Sequence, residues 1–188
     1  GMDKIVEITK RFGIIDDMPP ILSMAIGAGE TTLLKMTAAY GVFANGGKKV
    51  TPTLIDRIQD RNGKTIFSSD KRFCDLCGTK IAWDGQAAPD IPDARPQIAD
   101  PRYIYQMVSM MEGVVQRGTA MVLKDLNRPI AGKTGTTNDS KDTWFIGFTP
   151  DIVMGVYIGF DVPRSMGKKE TGAKVAAPVF KQFFQEAL

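Results

Sequence analysis

Three strand-like runs follow one another late in the chain, and they constrain its fold more than any other feature. They cover Pro129–Gly135, Asp142–Thr149 and Ile152–Phe160. Only Pro150-Asp151 separates the last two, so these strands must be joined by a tight turn and run antiparallel. Both of these runs are apolar on both faces, which is typical of strands covered on both sides. The sequence therefore predicts an antiparallel sheet with helices packed against it.

Four segments have apolar residues at helical spacing and can supply that cover. Asp100 followed by Pro101 is a typical helix start, and Thr31 is placed to cap the second helix. The pair Asn62-Gly63 between two shorter strand-like runs predicts a β-hairpin, whereas residues 68–100 are interrupted by Pro and Gly and predict an irregular loop. These elements together predict an α+β fold with an antiparallel sheet flanked by helices. The predicted helices are Asp3–Phe12, Thr31 to Ala44, Pro101 to Gly118 and Pro178 to Ala187, and the hairpin strands are Thr53–Gln59 and Lys64–Phe67.

The composition excludes several classes of function. The 24 Lys and Arg residues nearly balance the 21 Asp and Glu residues, so the net charge of +3 gives no electrostatic reason to expect nucleic acid as a partner. The chain has no histidine, which excludes a Ser-His-Asp triad and a histidine metal site. Cys74 and Cys77 supply two thiolates where a structural zinc site needs four ligands. We therefore expect these cysteines to clip a loop, and we expect neither a metal site nor a cofactor.

One cluster, Ala131–Asn138, carries residues suited to chemistry. Gly132-Lys133-Thr134 ends like a phosphate-binding loop, but the first glycine of that motif would fall on Asn127, and the residues that follow are poor helix formers. The second interpretation is a strand at the edge of an active site. There the lysine supplies positive charge, the threonine hydroxyls donate to a carboxylate, and Gly135 lets a substrate approach the backbone. Such a K-T-G element accompanies S-x-x-K and S-x-N in one class of serine enzymes.

Six sequence blocks around this cluster carry a family resemblance. They are Gly27–Glu30, Tyr40–Gly47, Met111–Thr119, Gly132–Asn138, Asp142–Gly147 and Thr149–Asp161. The blocks occur in family order and span nearly the whole chain. On these residues the chain resembles the C-terminal part of the transpeptidase domain of class A penicillin-binding proteins, the bifunctional peptidoglycan synthases.

The resemblance implies a role for each residue of the K-T-G strand. Lys133 would hold a positive charge beside the S-x-N serine and assist proton movement, and Thr134 and Thr136 would bind the carboxylate of the ligand. That ligand would be a peptidoglycan stem peptide ending in D-alanyl-D-alanine, or a β-lactam. The backbone N–H of Thr136 would be one of two oxyanion donors. The expected catalytic residues are therefore Lys133 and Thr136, and the expected substrate-binding residues are Thr134, Gly135, Thr136 and Thr137.

Two further motifs of the family, S-x-x-K and S-x-N, have no convincing counterpart in this sequence. The sequence contains no S-x-N, and its two formal S-x-x-K matches begin at Ser68 and Ser165, in segments without an apolar helical pattern. A nucleophilic serine of this kind needs its lysine on the next turn of a buried helix. The resemblance therefore implies that the nucleophile lies before this chain begins. We expect residues 1–188 to be the C-terminal portion of a single transpeptidase domain, with a loop insertion at about 68–100, and to be inactive without the N-terminal half of that domain.

The resemblance also implies where the parent protein acts. It would crosslink peptidoglycan through a serine acyl-enzyme on the periplasmic, extracytoplasmic side of the cell membrane and would be anchored in that membrane. No apolar run of this chain approaches the ~20 residues of a membrane-spanning helix. An alternative is a non-catalytic module that binds stem peptides or scaffolds partners. That alternative would require the upstream catalytic residues to be lost.

Overall fold

The computed structural model describes residues 1–72, 85 and 91–187. These residues form two compact units, one of Gly1–Val50 with Gln97–Leu188 and the other of Thr51–Pro96. Among the described residues, no helix is both long and apolar enough to cross a bilayer. In chain order, the elements are α1 (Met2–Arg11), α2 (Leu22–Ala25), α3 (Leu33–Ala44), β1 (Arg57–Gln59), β2 (Thr65–Ser68), α4 (Pro101–Arg117), a 3₁₀ helix (Met121–Leu126), β3 (Ala131–Thr136), a 3₁₀ turn (Asn138–Ser140), β4 (Asp142–Phe148), β5 (Val153–Gly159) and α5 (Ala176–Ala187).

The three predicted strands form one antiparallel sheet in the order β3-β4-β5, which confirms the α+β prediction. Thr149 closes the turn between β4 and β5, because its N–H donates to the carbonyl of Ile152 over 2.9 Å and its hydroxyl accepts from the Ile152 N–H over 3.2 Å. The expected tight turn at Pro150-Asp151 is therefore present. β3 lies at one edge of the sheet, and this position governs the site described below.

Helix α5 covers one face of the sheet. The ring of Phe145 in β4 contacts Phe180 edge-on, with 4.9 Å between centroids, and Phe180 stacks on Phe184 at 4.2 Å. Phe145 and Phe180 are fully buried, as are Leu123 and Ile130 beside them. Because Phe180 and Phe184 are four residues apart, they project from the same face of the helix. This aromatic cluster anchors α5 to the sheet.

Helix α3 covers the opposite face, and α4 packs beside β3, with Met111 against Ala131 and Val115 in the cluster of Phe145. Side chains alternate between faces along a strand, so Ile146 and its partner Gly155 lie opposite to Phe145. A side chain at Gly155 would meet Thr37 and Leu33 of α3, and Gly155 therefore allows this helix to approach closely. Helix α4 begins as predicted, with the Asp100 carboxylate accepting from the Arg102 N–H over 2.9 Å and Pro101 in the first turn.

The cap of α3 corrects the sequence prediction by one residue. The hydroxyl that accepts from the Lys35 N–H over 3.2 Å belongs to Thr32, not to Thr31. The Thr31 hydroxyl instead donates to the carbonyl of Ile14 over 2.6 Å. Thr31 therefore bonds to the loop that contains Ile14, and Thr32 caps the helix in its place.

The second unit contains the predicted hairpin. β1 and β2 pair antiparallel, and the Asp60 carboxylate holds the turn by accepting from the N–H groups of Asn62 and Lys64 over 2.8 and 2.9 Å. Of the stretch predicted as irregular, the structure describes 68–72, 85 and 91–100, and these residues contain no helix. Cys74 and Cys77 lie outside the described residues, so the proposed loop clip stays a prediction.

Candidate active site on the edge strand

The K-T-G residues lie on β3, and one edge of this strand is open in the described part of the chain. β3 pairs with β4 alone, in a register that places Lys133 opposite Ile146 and Thr136 opposite Thr143. Lys133 and Thr136 are exposed, whereas Thr134 and Gly135 are half-buried. The strand is therefore held firmly on one side and accessible on the other.

The hydrogen bonds of the neighbouring turn fix the direction of the backbone groups of β3. The Thr137 N–H donates across to the carbonyl of Asp142 over 3.2 Å, so Thr137 forms a hydrogen-bonded pair with the facing strand. N–H groups alternate in direction along an antiparallel strand. The N–H groups of Thr134 and Thr136 therefore point away from β4, toward the open edge. Fixed dipoles in this direction are suited to receiving a developing negative charge.

The Thr136 hydroxyl is held by the start of the segment that leads into α5. It accepts from the backbone N–H of Gly172 over 3.0 Å, across 36 residues of sequence. A Cβ at Gly172 would lie 2.6 Å from the carbonyl oxygen of Gly135 and would also collide with that of Trp144. Only a glycine fits between the two strands and this segment, so the contact fixes Thr136 through the backbone.

The Thr134 hydroxyl is held from another direction. It lies 2.9 Å from the hydroxyl of Thr119, which follows the C-terminus of α4. Thr134 and Thr136 are two positions apart, so their side chains project from the same face of β3. Each of these hydroxyls therefore has one protein partner of its own.

Lys133 presents its charge beside the same strand. Its ammonium group donates to the carbonyl of Thr134 over 2.8 Å, which folds the side chain along the open edge. None of the ion pairs formed by the described residues involves Lys133. This cation is therefore not neutralised by a described carboxylate and can attract an anionic ligand.

Thr137 has a structural role that the sequence does not reveal. Its hydroxyl accepts from the Asp142 N–H over 2.9 Å and so closes the hairpin between β3 and β4. Asp139 and Ser140 in this turn have φ values of 61° and 51°. The expected substrate-binding hydroxyl is thus already bonded to the backbone, and Thr137 borders the site through the turn that it stabilises.

Two cavities among the described residues lie outside the K-T-G strand. An open cavity of about 500 Å³ borders the turn after β3 and is lined by Asp139, Ser140, Lys141, Ser165, Gly167 and Lys168. An apolar groove of about 810 Å³ lies among α1, α3 and the start of α4. Neither cavity is lined by a residue of the K-T-G strand, and Lys133 and Thr136 of that strand are exposed.

Neither S-x-x-K match has the geometry of a nucleophile. Ser68 ends β2, and its hydroxyl donates to the carbonyl of Asp70 over 3.0 Å. Ser165 lies in the segment after β5, where its hydroxyl accepts from the Gly167 N–H over 3.3 Å. Neither serine lies in a helix. A lysine three residues further on is therefore not held on an adjacent helical turn at either place.

The structure adds two residues that sequence reasoning did not assign to the site, Thr119 and Gly172. Thr119 is the last residue of the block Met111–Thr119, which carries part of the family resemblance, but nothing in that block indicates a contact with Thr134. Gly172 has no local signal, because its function depends on a contact with β3 far away in sequence.

Comparison with known proteins identifies the family of the chain and agrees with its fold. Residues 15–185 match the penicillin binding protein transpeptidase domain, and the chain belongs to this family. Over 188 residues it is 48% identical to penicillin-binding protein 1A of Rickettsia bellii, covering all of this chain and 24% of that protein. It is 44% identical to penicillin-binding protein 1A of Neisseria gonorrhoeae, of which it covers 22%. The chain thus spans about a quarter of the length of these relatives.

Solved structures place the chain in the same fold. The crystal structure of penicillin-binding protein 1A from Haemophilus influenzae matches all of this chain with a TM-score of 0.81 and 31% identity, and the match covers 31% of that protein. PonA1 from Mycobacterium tuberculosis matches 96% of this chain and 47% of its own with a TM-score of 0.72 at 20% identity, which is a likeness of fold. The family resemblance inferred from the sequence blocks is confirmed.

Proposed function

We propose that this chain supplies the K-T-G wall of a penicillin-binding D,D-transpeptidase, whose parent enzyme crosslinks peptidoglycan stem peptides through a serine acyl-enzyme. The observation that carries the proposal is the open edge of β3. There the ammonium group of Lys133, two threonine hydroxyls with protein partners and outward N–H groups lie on one strand. Membership of the transpeptidase family supports the same assignment. The site is suited to binding a carboxylate and stabilising an oxyanion.

The roles follow from hydrogen-bonding capacity. A threonine hydroxyl has one proton to donate, and a carboxylate can only accept. Because the Thr136 hydroxyl accepts from Gly172, its own proton remains available for the carboxylate of a stem peptide or a β-lactam. Lys133 adds positive charge beside the same carboxylate, and Gly135 allows the substrate backbone to lie close to the strand. Thr137 supports these groups by closing the hairpin.

The oxyanion would be received by the Thr136 N–H, which is the donor that the family resemblance implies, and this group points to the open edge. In acyl transfer the carbonyl oxygen of the substrate becomes negatively charged, and an N–H fixed in place stabilises that charge without reorganisation. Removing one such donor typically costs ~2.7–4 kcal/mol of barrier. The second donor would be the N–H of the nucleophile itself.

β-Lactams are proposed as ligands of the same site. The M. tuberculosis protein PonA1, which shares this fold with a TM-score of 0.70 at 20% identity, has been solved in complex with penicillin V. For this chain the proposal depends on its own residues, since the β-lactam carboxylate presents the same acceptor as the stem peptide. Lys133, Thr134 and Thr136 would bind both ligands.

The nucleophile is proposed to come from another segment of the parent protein. The relatives are about four times as long as this chain, and the two local S-x-x-K serines lie outside helices. Residues 1–188 would be the C-terminal portion of one transpeptidase domain, with an insertion at about 68–100. The parent would be anchored in the cell membrane and would act on its extracytoplasmic side. The alternative, a non-catalytic module that binds stem peptides or scaffolds partners, would require the upstream catalytic residues to be lost.

Labelling with a fluorescent penicillin separates these proposals. We expect the full-length protein to be labelled covalently and residues 1–188 alone to remain unlabelled. Thr134→Val and Thr136→Val in the full-length protein should slow labelling, whereas Thr65→Val, on β2 of the second unit, should not. Reversible binding without a covalent adduct would favour the non-catalytic module, and equal labelling of every variant would contradict the role of β3.

A further inference from the structure

A hydrogen bond between the hydroxyls of Thr119 and Thr134 connects the end of α4 to β3, and Thr119 is not part of the K-T-G motif. Thr119 lies just after α4, and its hydroxyl is 2.9 Å from that of Thr134, 15 residues further along the chain. Either oxygen could be the donor in this bond. The direction of the bond decides what Thr134 can offer a ligand.

The chemistry of the ligand fixes that direction. A carboxylate carries no proton, so Thr134 can bind one only by donating its single proton to it. Thr134 must then accept in its bond with Thr119, and Thr119 must donate. We propose that Thr119 is a positioning residue for substrate and β-lactam binding, an inference that rests on the proposed function of β3.

The two threonines of β3 are then supported in the same manner. Thr136 accepts from the backbone N–H of Gly172 over 3.0 Å, and Thr134 accepts from the side chain of Thr119. Each hydroxyl is left with one proton on the same face of the strand, and a carboxylate has two oxygens to receive them. When a hydroxyl accepts a hydrogen bond, its own O–H group is polarised, and the hydrogen bond that it donates becomes stronger.

The backbone around Thr119 is held in place. Ala120 is fully buried, and its N–H donates to the carbonyl of Val114 over 3.0 Å. A Cβ at Gly118 would lie 2.8 Å from the Cα of Val114, so the chain turns tightly against the end of α4. Thr119 itself is exposed. Its side chain is thus presented to β3 from a fixed backbone, and removing its hydroxyl leaves the core unchanged.

The test measures acylation of the full-length protein by benzylpenicillin and by its methyl ester, which has no free carboxylate. Thr119→Val should lower the second-order acylation constant for benzylpenicillin by ~3- to 10-fold, the value of one hydrogen bond, and leave that for the ester nearly unchanged. Thr119→Ser keeps the donor and should restore the wild-type constant. In a Thr134→Val background, Thr119→Val should have no further effect, because the residue acts through the Thr134 hydroxyl.

Three results would overturn the inference. They are an unchanged constant for benzylpenicillin in Thr119→Val, an equal fall for acid and ester, and full additivity of the two Val substitutions. An equal fall would show a purely structural role. A wild-type protein that benzylpenicillin does not acylate would instead overturn the proposed function of the K-T-G strand, so the two failures are distinguishable.

Discussion

The backbone contact at Gly172 leads to the most demanding prediction for this fold. Gly172→Ala adds one methyl group where the segment before α5 crosses β3 and β4. The new Cβ would lie 2.6 Å from the carbonyl oxygen of Gly135 and 3.2 Å from its nitrogen, where ordinary contacts begin at about 3.4 Å. Both neighbours are backbone atoms of a paired sheet, so no side chain can rotate away. The segment must move off the strand.

The cost has two parts. Inserting a methylene into a filled site typically costs ~1–3 kcal/mol. Displacing the segment also weakens the bond from the Gly172 N–H to the Thr136 hydroxyl, at ~0.5–1.5 kcal/mol. We expect a total loss of about 2–4 kcal/mol, which should lower the Tm of the transpeptidase domain by several degrees. Because Thr136 loses its support, acylation by penicillin should also slow.

Thermal unfolding and penicillin labelling of the full-length protein test this prediction. Gly41→Ala is the matched control, since a Cβ there lies 3.4 Å from the side chain of Val50 in ordinary contact. Gly41 lies within α3, where alanine is favoured over glycine by up to ~1 kcal/mol. Its Tm should stay constant or rise. A Gly172→Ala protein with wild-type Tm and wild-type labelling would refute the close approach of this segment to β3.

Three further predictions address the core, the hairpin and the pH dependence. Phe180→Ala removes a fully buried ring that contacts two others and should cost ~3–5 kcal/mol in the free energy of unfolding, measured with denaturant; a loss below 1 kcal/mol would contradict the aromatic core. Thr137→Val should cost ~1 kcal/mol, because it leaves a strand N–H without its partner, and Thr137→Ser should not. The hydrogen bond from Lys181 holds the pKa of Asp125 below its usual value. A depressed carboxyl pKa stabilises the fold above the unfolded pKa and loses this effect as pH falls through the folded pKa. Lys181→Met should therefore lower stability at neutral pH but not at the acid end of a titration, and a pH-independent loss would contradict the pairing.

The strands and long helices could be predicted because their signals are local. The apolar runs of β4 and β5 and the Asp100-Pro101 start of α4 can each be recognised in a short stretch of sequence. The cap of α3 was placed one residue early, since Thr31 and Thr32 are equivalent by pattern and only the contact with Ile14 separates them. The short helix α2 and the 3₁₀ helix after α4 were not predicted, because their few residues carry no periodicity.

The candidate site likewise contains residues that the sequence predicts and residues that only the structure identifies. The K-T-G motif predicts that Lys133, Thr134 and Thr136 are neighbours on one strand. This follows from sequence alone, because residues so close together in any strand are neighbours. The motif could not identify the supports of the two hydroxyls, because Thr119 and Gly172 reach β3 through the ends of α4 and α5. The hydrogen bond between the Thr137 hydroxyl and the Asp142 N–H could not be predicted for the same reason, since it depends on the register of β3 with β4. The motif names the residues that we propose to bind the ligand, and only the packing names the residues that hold their hydroxyls.

Mass mapping of a penicillin adduct shows which segment of the protein supplies the nucleophile. The full-length protein is reacted with benzylpenicillin, digested, and the peptide that carries the adduct is identified by mass spectrometry. If the nucleophile lies in another segment and β3 binds the ligand, one covalent adduct forms on a serine outside residues 1–188. This adduct should form more slowly when Thr134 or Thr136 is replaced by Val. An adduct on Ser68 or Ser165, or a protein that forms none, would contradict this proposal.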